Sequence, residues 1–353
     1  MKVGIVGGGI NGLCCAWHLA RQGHEVTLHE RHRLMQATSR SSSKLLHGGL
    51  RYLENGEFRL VREALRERDA WLRRAPELTR PLRIVMPIYR SSRRRRFVVG
   101  TGLFLYDRLA GKSILPGARW RSATDILAAD PGLQAHGLSG GYEFSDGLMD
   151  DYALGLWVAD QAAAAGAEIV ESSQVSRLDV DGNVVTADGT RTMFDRVLNV
   201  AGPWAAHLLE QNGLPAPYAL DLVRGSHIVL DQPCRQAYLL EVPGERRIFF
   251  VLPWKDRTLV GTTEVRQRLD ECVECSDAEH DYLLNAFQHY WPGSSPRVTE
   301  TFAGVRPLLR SKADPNRATR EYAIHRTGKV VTVFGGKWTT AMALAGKVEA
   351  ALR

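Results

Sequence analysis

The stretch Val3-Gly4-Ile5-Val6-Gly7-Gly8-Gly9-Ile10-Asn11-Gly12 decides how the chain is read. Val3 to Val6 is a short apolar strand, and a helix opens near Ile10. Gly7, Gly9 and Gly12 have the G-x-G-x-x-G spacing of a dinucleotide-binding turn. One glycine makes the tight turn, one admits the backbone to a pyrophosphate, and one lets helix pack on strand. The free N–H groups and the positive end of that helix favour an anion. His24 to Glu30 reads as a second strand, with Val26 and Leu28 on one face. It ends on Glu30, close to the ~20-residue offset at which an acid takes ribose hydroxyls.

Working outward, the chain has 353 residues, enough for two domains, and 44% hydrophobic residues, enough for a large core. The formal net charge of +7 admits nucleic acid, anionic lipid or an anionic substrate as partner. Part of the excess is one run, Arg93 to Arg96. Basic and aromatic residues are not interleaved as in a nucleic-acid module, so nucleic acid is set aside. The five cysteines do not make a disulfide framework, and a reducing cytoplasm fits them. Cys14 and Cys15 lie in the first helix as small apolar residues. Cys272 and Cys275 form one C-x-x-C with neither a second pair nor a nearby His pair, so no metal site is expected. Lys2 and the apolar run after it do not form a signal peptide, because the glycines and Asn11 break the run. Phe97 to Tyr106, the longest apolar stretch elsewhere, is too short to span a bilayer.

Glu57 to Arg74 has a helical pattern that predicts Phe58, Val61, Leu65 and Leu72 on one apolar face. Pro81 to Tyr89 is a strand, and the segment from there to about Gly141 is expected to be irregular. Asp151 to Ala165 is a helix. Glu168 to Val170 and Gln174 to Val180 are strands, with turns at Asp181-Gly182 and Asp188-Gly189 giving a small meander. Asp195 to Val200 is a buried strand ending at Ala201-Gly202-Pro203-Trp204, and open α/β sheets place ligands at such strand ends. Strands are predicted over Ser226 to Leu230, Ala237 to Leu240, Ile248 to Val251 and Thr258 to Gly261. Asp277 to Tyr290 is a helix with Ser276 as N-cap. Val330 to Phe334, the Gly335-Gly336 turn and a helix over Lys337 to Leu352 return the chain to the first sheet.

Several blocks occur in order beside the glycine turn: Ser42-Ser43-Lys44-Leu45-Leu46-His47-Gly48-Gly49-Leu50-Arg51-Tyr52-Leu53, Glu57-Phe58-Arg59-Leu60-Val61, Gly202-Pro203-Trp204, Gly225-Ser226-His227-Ile228-Val229, Gly304-Val305-Arg306-Pro307-Leu308 and Phe334-Gly335-Gly336-Lys337. Together they resemble the FAD-dependent glycerol-3-phosphate dehydrogenases, within the D-amino-acid-oxidase-like superfamily. The resemblance runs the length of the chain. Members commonly continue past the final helix into a further helical domain, and a shortened member is the expectation for this sequence. The resemblance implies an α/β fold: a discontinuous Rossmann-type FAD-binding domain (1–80, 145–218 and 296–353) with an inserted substrate-binding domain of antiparallel sheet plus helices (81–144 and 219–295).

By the same resemblance FAD is bound non-covalently. Gly7, Gly9, Ile10, Asn11 and Gly12 hold the pyrophosphate, Glu30 with Arg31 the adenosine ribose, and Val175 the adenine. Ser42, Ser43, Lys44, Leu45, His47 and Gly48 line the flavin. Ala201, Gly202, Trp204, Gly304 and Arg306 complete the site with Gly335, Gly336, Lys337, Trp338 and Thr339 on the other side. A cation and backbone N–H donors beside the flavin N1 and C2 carbonyl suit the charge of the reduced ring. Arg51, Tyr52, His227, Arg306, Arg320 and Lys337 gather around an anionic substrate, because a phosphate needs charge-assisted donors and arginine offers a fork. The implied reaction oxidises sn-glycerol 3-phosphate to dihydroxyacetone phosphate, by hydride transfer from C2 to flavin N5. His227 is the preferred base, with His47 as runner-up, and Arg306 and Lys337 steady the forming alkoxide. Electrons then pass to a quinone or another acceptor. The alternative is an oxidase or dehydrogenase of the same superfamily acting on another anionic hydroxy or amino compound. The expected location is cytoplasmic, and the run Arg93 to Arg96 with Phe97 to Tyr106 suits peripheral attachment to the anionic cytoplasmic face of the inner membrane as well as it suits an ordinary loop. A homodimer is left open.

Overall fold

Two sheets meet, and the space between them is the site. The computed structural model describes residues 1–310 and 322–353. The first sheet has six strands in the order Ala323–Thr327, Val330–Phe334, Arg196–Asn199, Lys2–Val6, Glu25–His29 and Glu168–Val170. Its pairings are parallel except at the Ala323–Thr327 edge. Parallel strands are buried on both faces, and alternation assigns each side chain to one of them. Val3 and Ile5 join the core formed with the helices Ile10–Arg21, Asp151–Ala164 and Ala341–Leu352. Val6, Val197 and Phe334 face the other way, onto the three-stranded meander Val175–Leu178, Asn183–Thr186 and Arg191–Met193. Cys14 and Cys15 are buried in the first core, as small apolar residues should be.

The second sheet has ten strands. Its long members are Thr79–Tyr89, Leu138–Met149, Leu220–Leu230 and Val298–Leu309. The run Ile84-Val85-Met86 is apolar throughout because both faces are covered. Ile84 and Met86 pack with the helices Phe58–Arg74 and Arg96–Ala110, whereas Val85 packs with the helix Asp277–Tyr290. That last helix has the expected Ser276 cap, as a full capping box with Glu279.

Several expectations change. Val298–Leu309 was assigned to the first domain, but it pairs along its length with Leu220–Leu230 in the ten-stranded sheet. The segment after Tyr89 is not irregular. It contains the helix Arg96–Ala110, held by Val99, Leu103 and Tyr106, and a short helix Ala123–Ala129. Phe58 is 47% exposed, and Leu60 takes the inward position beside Val61 and Leu65. The last helix begins at Ala341, not Lys337, so Gly335 to Thr340 form an irregular approach to it.

Candidate active site

The glycine turn is built as its spacing requires. A Cβ on Gly12 would stand 1.9 Å from the Gly7 carbonyl oxygen, so only glycine lets the helix start this close to the strand. The Gly8 N–H donates to Glu30 Oε2 at 2.7 Å, and the His32 N–H donates to Oε1 at 3.0 Å. Glu30 therefore braces the turn while its carboxylate stands at the cavity wall. The Ile10 N–H donates to Ser39 Oγ at 3.0 Å, while first-turn N–H groups beyond it lie outside the helical ladder.

A cavity of about 1140 Å³ runs from this turn into the space beneath the ten-stranded sheet. Gly7, Gly9, Ile10, Asn11, Glu30, Arg31, Val175, Ala201, Gly202 and Trp204 line one end, with the Arg31 guanidinium stacked 3.9 Å over Trp204. Ser42, Ser43, Leu45, His47, Gly304 and Gly335 to Thr339 line the middle. Arg51, Tyr52, His227 and Arg306 line the far end. Arg320 lies outside the described residues.

Three expected cofactor residues stand behind the wall. Gly12 is the packing glycine just described. The Gly48 N–H donates to the Tyr106 hydroxyl at 2.7 Å, which donates in turn to Asp146 at 2.8 Å. Burial pushes the Asp146 carboxyl up to about 6, against the pull of Arg68 and of its hydrogen bonds. Lys44 turns its ammonium away, to Asp151 Oδ1 and the Arg40 carbonyl, both at 2.7 Å. Asp151 is wholly buried and also accepts from the Ser42 N–H and hydroxyl. Sequence type alone does not separate a lysine that contacts a cofactor from one that pins the loop contacting it.

The approach to the last helix is held by indoles. Trp338 Nε1 donates to the Ser39 carbonyl, and Trp71 Nε1 donates to the Thr339 carbonyl, both at 3.0 Å. Gly336, at φ +105°, lies so close to Asn11 that a Cβ would meet Nδ2 at 2.5 Å. This fixes Lys337 with its Nζ 3.9 Å over the Tyr52 ring. The ammonium is sealed from solvent and has no hydrogen-bond acceptor among the described residues. Such a charge is costly to bury and awaits an anionic or carbonyl oxygen.

His227 is 3% exposed and stacks on Phe302 with ring centroids 4.8 Å apart. Its Nε2 is 2.8 Å from Ser43 Oγ, and its buried Nδ1 has no partner among the described residues. Burial first, then the charges of Lys44 and Arg306, push its pKa down from 6.5 to about 3. The ring is a neutral imidazole at neutral pH. Arg51 and Arg306 both lean on Glu264 Oε1, at 3.5 and 3.8 Å, and Arg306 Nη2 also donates to the Thr263 carbonyl at 2.9 Å.

Sequence reading missed Glu264 and the group behind it, Glu279. Ser226 donates to Glu279 Oε1 at 2.8 Å and Thr263 donates to the same oxygen. Arg224 at 2.7 Å and Ser276 at 2.9 Å hold the other oxygen. Burial works to raise this carboxyl, but the hydrogen bonds from Thr263, Ser226, Arg224 and Ser276 outweigh it and keep its pKa low. Glu279 thus ties the residue before His227 to the residue before Glu264. Its only local signal was the S-x-x-E spacing of a capping box, which says nothing of the second duty.

The cavity and its donors fit FAD: a glycine turn and an acid for the adenosine diphosphate end, and a middle section walled by backbone and closed by an unpaired cation. The Asn11 Oδ1, buried without a partner among the described residues, is a further acceptor waiting on that wall. Among those residues no cluster of His, Cys, Asp or Glu is placed to hold a metal ion, and no helix is long and apolar enough to cross a membrane.

The family model of the FAD dependent oxidoreductases (DAO) matches residues 2–352. The chain is 36% identical to the aerobic glycerol-3-phosphate dehydrogenase of Escherichia coli K12, covering 97% of this chain and 71% of that protein. It is 38% identical to the D-erythritol 1-phosphate dehydrogenase of Brucella abortus, again over 97% of this chain and 71% of that one. Its fold is similar to that of the glycerol-3-phosphate dehydrogenase of Bacillus halodurans complexed with FAD, with a TM-score of 0.79 and 24% identity; the match covers all of this chain and 64% of that one.

Proposed function

The chain belongs to the FAD-dependent oxidoreductase (DAO) family, among relatives of the glycerol-3-phosphate dehydrogenases, and from that premise we propose that it oxidises the C2 hydroxyl of sn-glycerol 3-phosphate or a closely related polyol phosphate. The observation that carries the reading is Lys337, a sealed ammonium beside Tyr52 with no acceptor among the described residues, in a wall that also holds Arg51 and Arg306. A neutral substrate gives such a wall nothing to pair with, whereas a phosphate dianion and a developing alkoxide do.

Gly7 to Gly12 hold the FAD pyrophosphate, Glu30 and Arg31 the ribose, and Val175 the adenine edge. The backbone from Ser42 to Gly48 and from Gly335 to Thr339 encloses the flavin. FAD, when bound, supplies the acceptor for the hydride that leaves C2. Arg51, Tyr52 and Arg306 bind the substrate, together with Arg320. His227 accepts the hydroxyl proton, and Arg306 and Lys337 steady the oxygen as it loses that proton. The low basicity of His227 follows from burial and from cations close by. A dianion next to Arg306 offsets one of those cations, so the ring becomes a better base when substrate is present.

We assign the electrons to a quinone, reached from a peripheral membrane position. Phe97, Val98, Phe104 and Ile114 are exposed around the helix Arg96–Ala110, Phe97 at 83%. Of the basic run, Arg94 pairs with Glu54 and Glu241 and Arg96 stacks on Trp120; Arg108 lies over the Phe104 ring, so Arg95 and Lys112 supply the charge left free among the described residues. Each such cation is worth about 1 kcal/mol at an anionic surface. Vesicles containing phosphatidylglycerol should pull down the protein and release Phe97→Glu; equal recovery of both would reject the attachment.

The substrate reading is tested by anaerobic bleaching of the bound flavin. Glycerol 3-phosphate or D-erythritol 1-phosphate should bleach it, and glycerol should not. Bleaching by amino acids alone would overturn the reading in favour of an amine-oxidising enzyme.

A further inference from the structure

One guanidinium in the cavity wall is not used by the account above. Arg247 precedes the strand Ile248–Trp254, whose Phe250 also lines the cavity. Its Nη2 is sealed from solvent and has no acceptor among the described residues. The guanidinium lies 5.6 Å from the centre of the Tyr282 ring. Tyr282 donates its hydroxyl to Glu245 at 3.0 Å, which fixes the ring as a platform. Burial raises the Tyr282 hydroxyl to about 12, and the charges it feels include both Arg247 and Glu264. Arg247 lines the same cavity as Glu264 and the two arginines that lean on it, Arg51 and Arg306.

A buried guanidinium donor without an acceptor is costly, because the water it gave up is not replaced. Arginine carries five N–H donors and no acceptor, so only an oxygen-rich, preferably anionic group relieves it. The ring beneath it offers attraction to the cation but no lone pair for Nη2. The wall around it already holds two arginines and one shared carboxylate, so a dianion entering there meets a net positive charge.

We propose that Arg247 is a ligand of the substrate's phosphate group, a specificity-determining residue that selects phosphorylated over free polyols. The proposal rests on the phosphorylated-alcohol reading above. An anionic oxygen takes the Nη2 donor, Tyr282 holds the guanidinium plane, and Glu264 spaces the neighbouring arginines until the phosphate arrives.

The test uses the flavin-loaded enzyme, with Arg247→Ala and Arg247→Lys. Flavin content and spectrum establish that each variant is folded. With glycerol 3-phosphate, KM should rise roughly 30- to 100-fold in Arg247→Ala, with a much smaller fall in kcat, on the scale of a lost charge-assisted hydrogen bond. Arg247→Lys should recover part of the loss. Inorganic phosphate should inhibit the wild type in competition with substrate, and its inhibition constant should rise in parallel with KM. An unchanged KM in Arg247→Ala, or inhibition by phosphate that ignores the substitution, overturns the assignment. If no phosphate ester reduces the wild-type flavin, the functional reading has failed by itself. Calorimetric binding of inorganic phosphate then decides on Arg247 alone: weaker binding to Arg247→Ala supports the anion site, and equal or absent binding in both proteins rejects it.

Discussion

The two ends of the cavity are built on opposite principles. At the glycine turn, recognition is a matter of backbone shape. Gly12 allows the approach, Glu30 braces Gly8, and Ser39 caps the helix start, so the turn is braced before any ligand arrives, while Asn11 Oδ1 and His29 Nε2 stay without a partner among the described residues. At the substrate end, side chains from distant segments meet, and several are left wanting. Lys337 Nζ, His227 Nδ1 and Arg247 Nη2 are buried donors or acceptors with no partner among the described residues. The first end is stable and general; the second carries unpaid electrostatics that only the right substrate relieves.

Substitution can break that contrast, and the largest effect should come from His227. His227→Asn removes the proton acceptor while keeping a polar side chain against Ser43. We expect kcat to fall about 100- to 10,000-fold, the usual contribution of a positioned base, with flavin content unchanged. The same substitution has a stability signature. A histidine whose folded pKa lies near 3 favours the neutral ring, so its contribution is complete above pH 6.5 and is lost as pH falls toward 3. Melting temperatures followed downward from pH 7 should drop less steeply in His227→Asn. A variant with full activity would move the base to His47, whose backbone N–H donates to Thr339 Oγ1 at 3.3 Å on the same wall.

The glycine end should fail differently. Gly12→Ala places a methyl group 1.9 Å from the Gly7 carbonyl oxygen, and backbone must move to admit it. Overpacking of this kind costs about 1–3 kcal/mol or more, and the strand and helix that shift are those proposed to hold the pyrophosphate. We expect protein that purifies with little FAD and melts earlier, measured by flavin absorbance per chain and by thermal unfolding. A mild change, Glu30→Gln, should sharpen the comparison at its weakest point. The amide carbonyl can still accept from Gly8, but its NH2 group cannot accept from His32, so the charge proposed to face the ribose is lost together with one of the two braces. FAD affinity should fall roughly 10-fold, the scale of one charged hydrogen bond, with kcat at saturating FAD preserved.

This division also explains what the sequence disclosed. The glycine turn, the strands around it and the helix Asp277–Tyr290 are local patterns, readable because the spacing of glycines, caps and apolar residues acts within one turn or one strand. The substrate wall is not local. Arg51, His227, Glu264, Arg306 and Lys337 lie on separate segments, and only a family resemblance could gather four of them before the fold was seen. Glu264 has no motif at all. Lys44 shows the opposite error: its block reads as flavin-lining, but the ammonium is buried on Asp151. The last helix begins later than the reading over Lys337 to Leu352 predicts, because Trp338-Thr339-Thr340 are poor helix formers and the alanine-rich run starts only at Ala341. The tertiary grip of Trp71 and Trp338 on Ser39 and Thr339 holds the start back to Ala341. Val298–Leu309 was missed as a strand because Thr299, Glu300 and Pro307 hide its alternation, while its long pairing with Leu220–Leu230 supplies the order.

The central claim, a proposal, is that a base at His227 takes the C2 hydroxyl proton of a phosphorylated polyol while a flavin held beside Lys337 would accept the C2 hydride. The most direct measurement is anaerobic single-turnover reduction of the flavin by sn-glycerol 3-phosphate, compared with the substrate deuterated at C2. The account predicts rapid bleaching that slows severalfold with deuterium at C2 and is nearly abolished in His227→Asn. No bleaching by either isotopologue, at concentrations that saturate the phosphate inhibition, would contradict it.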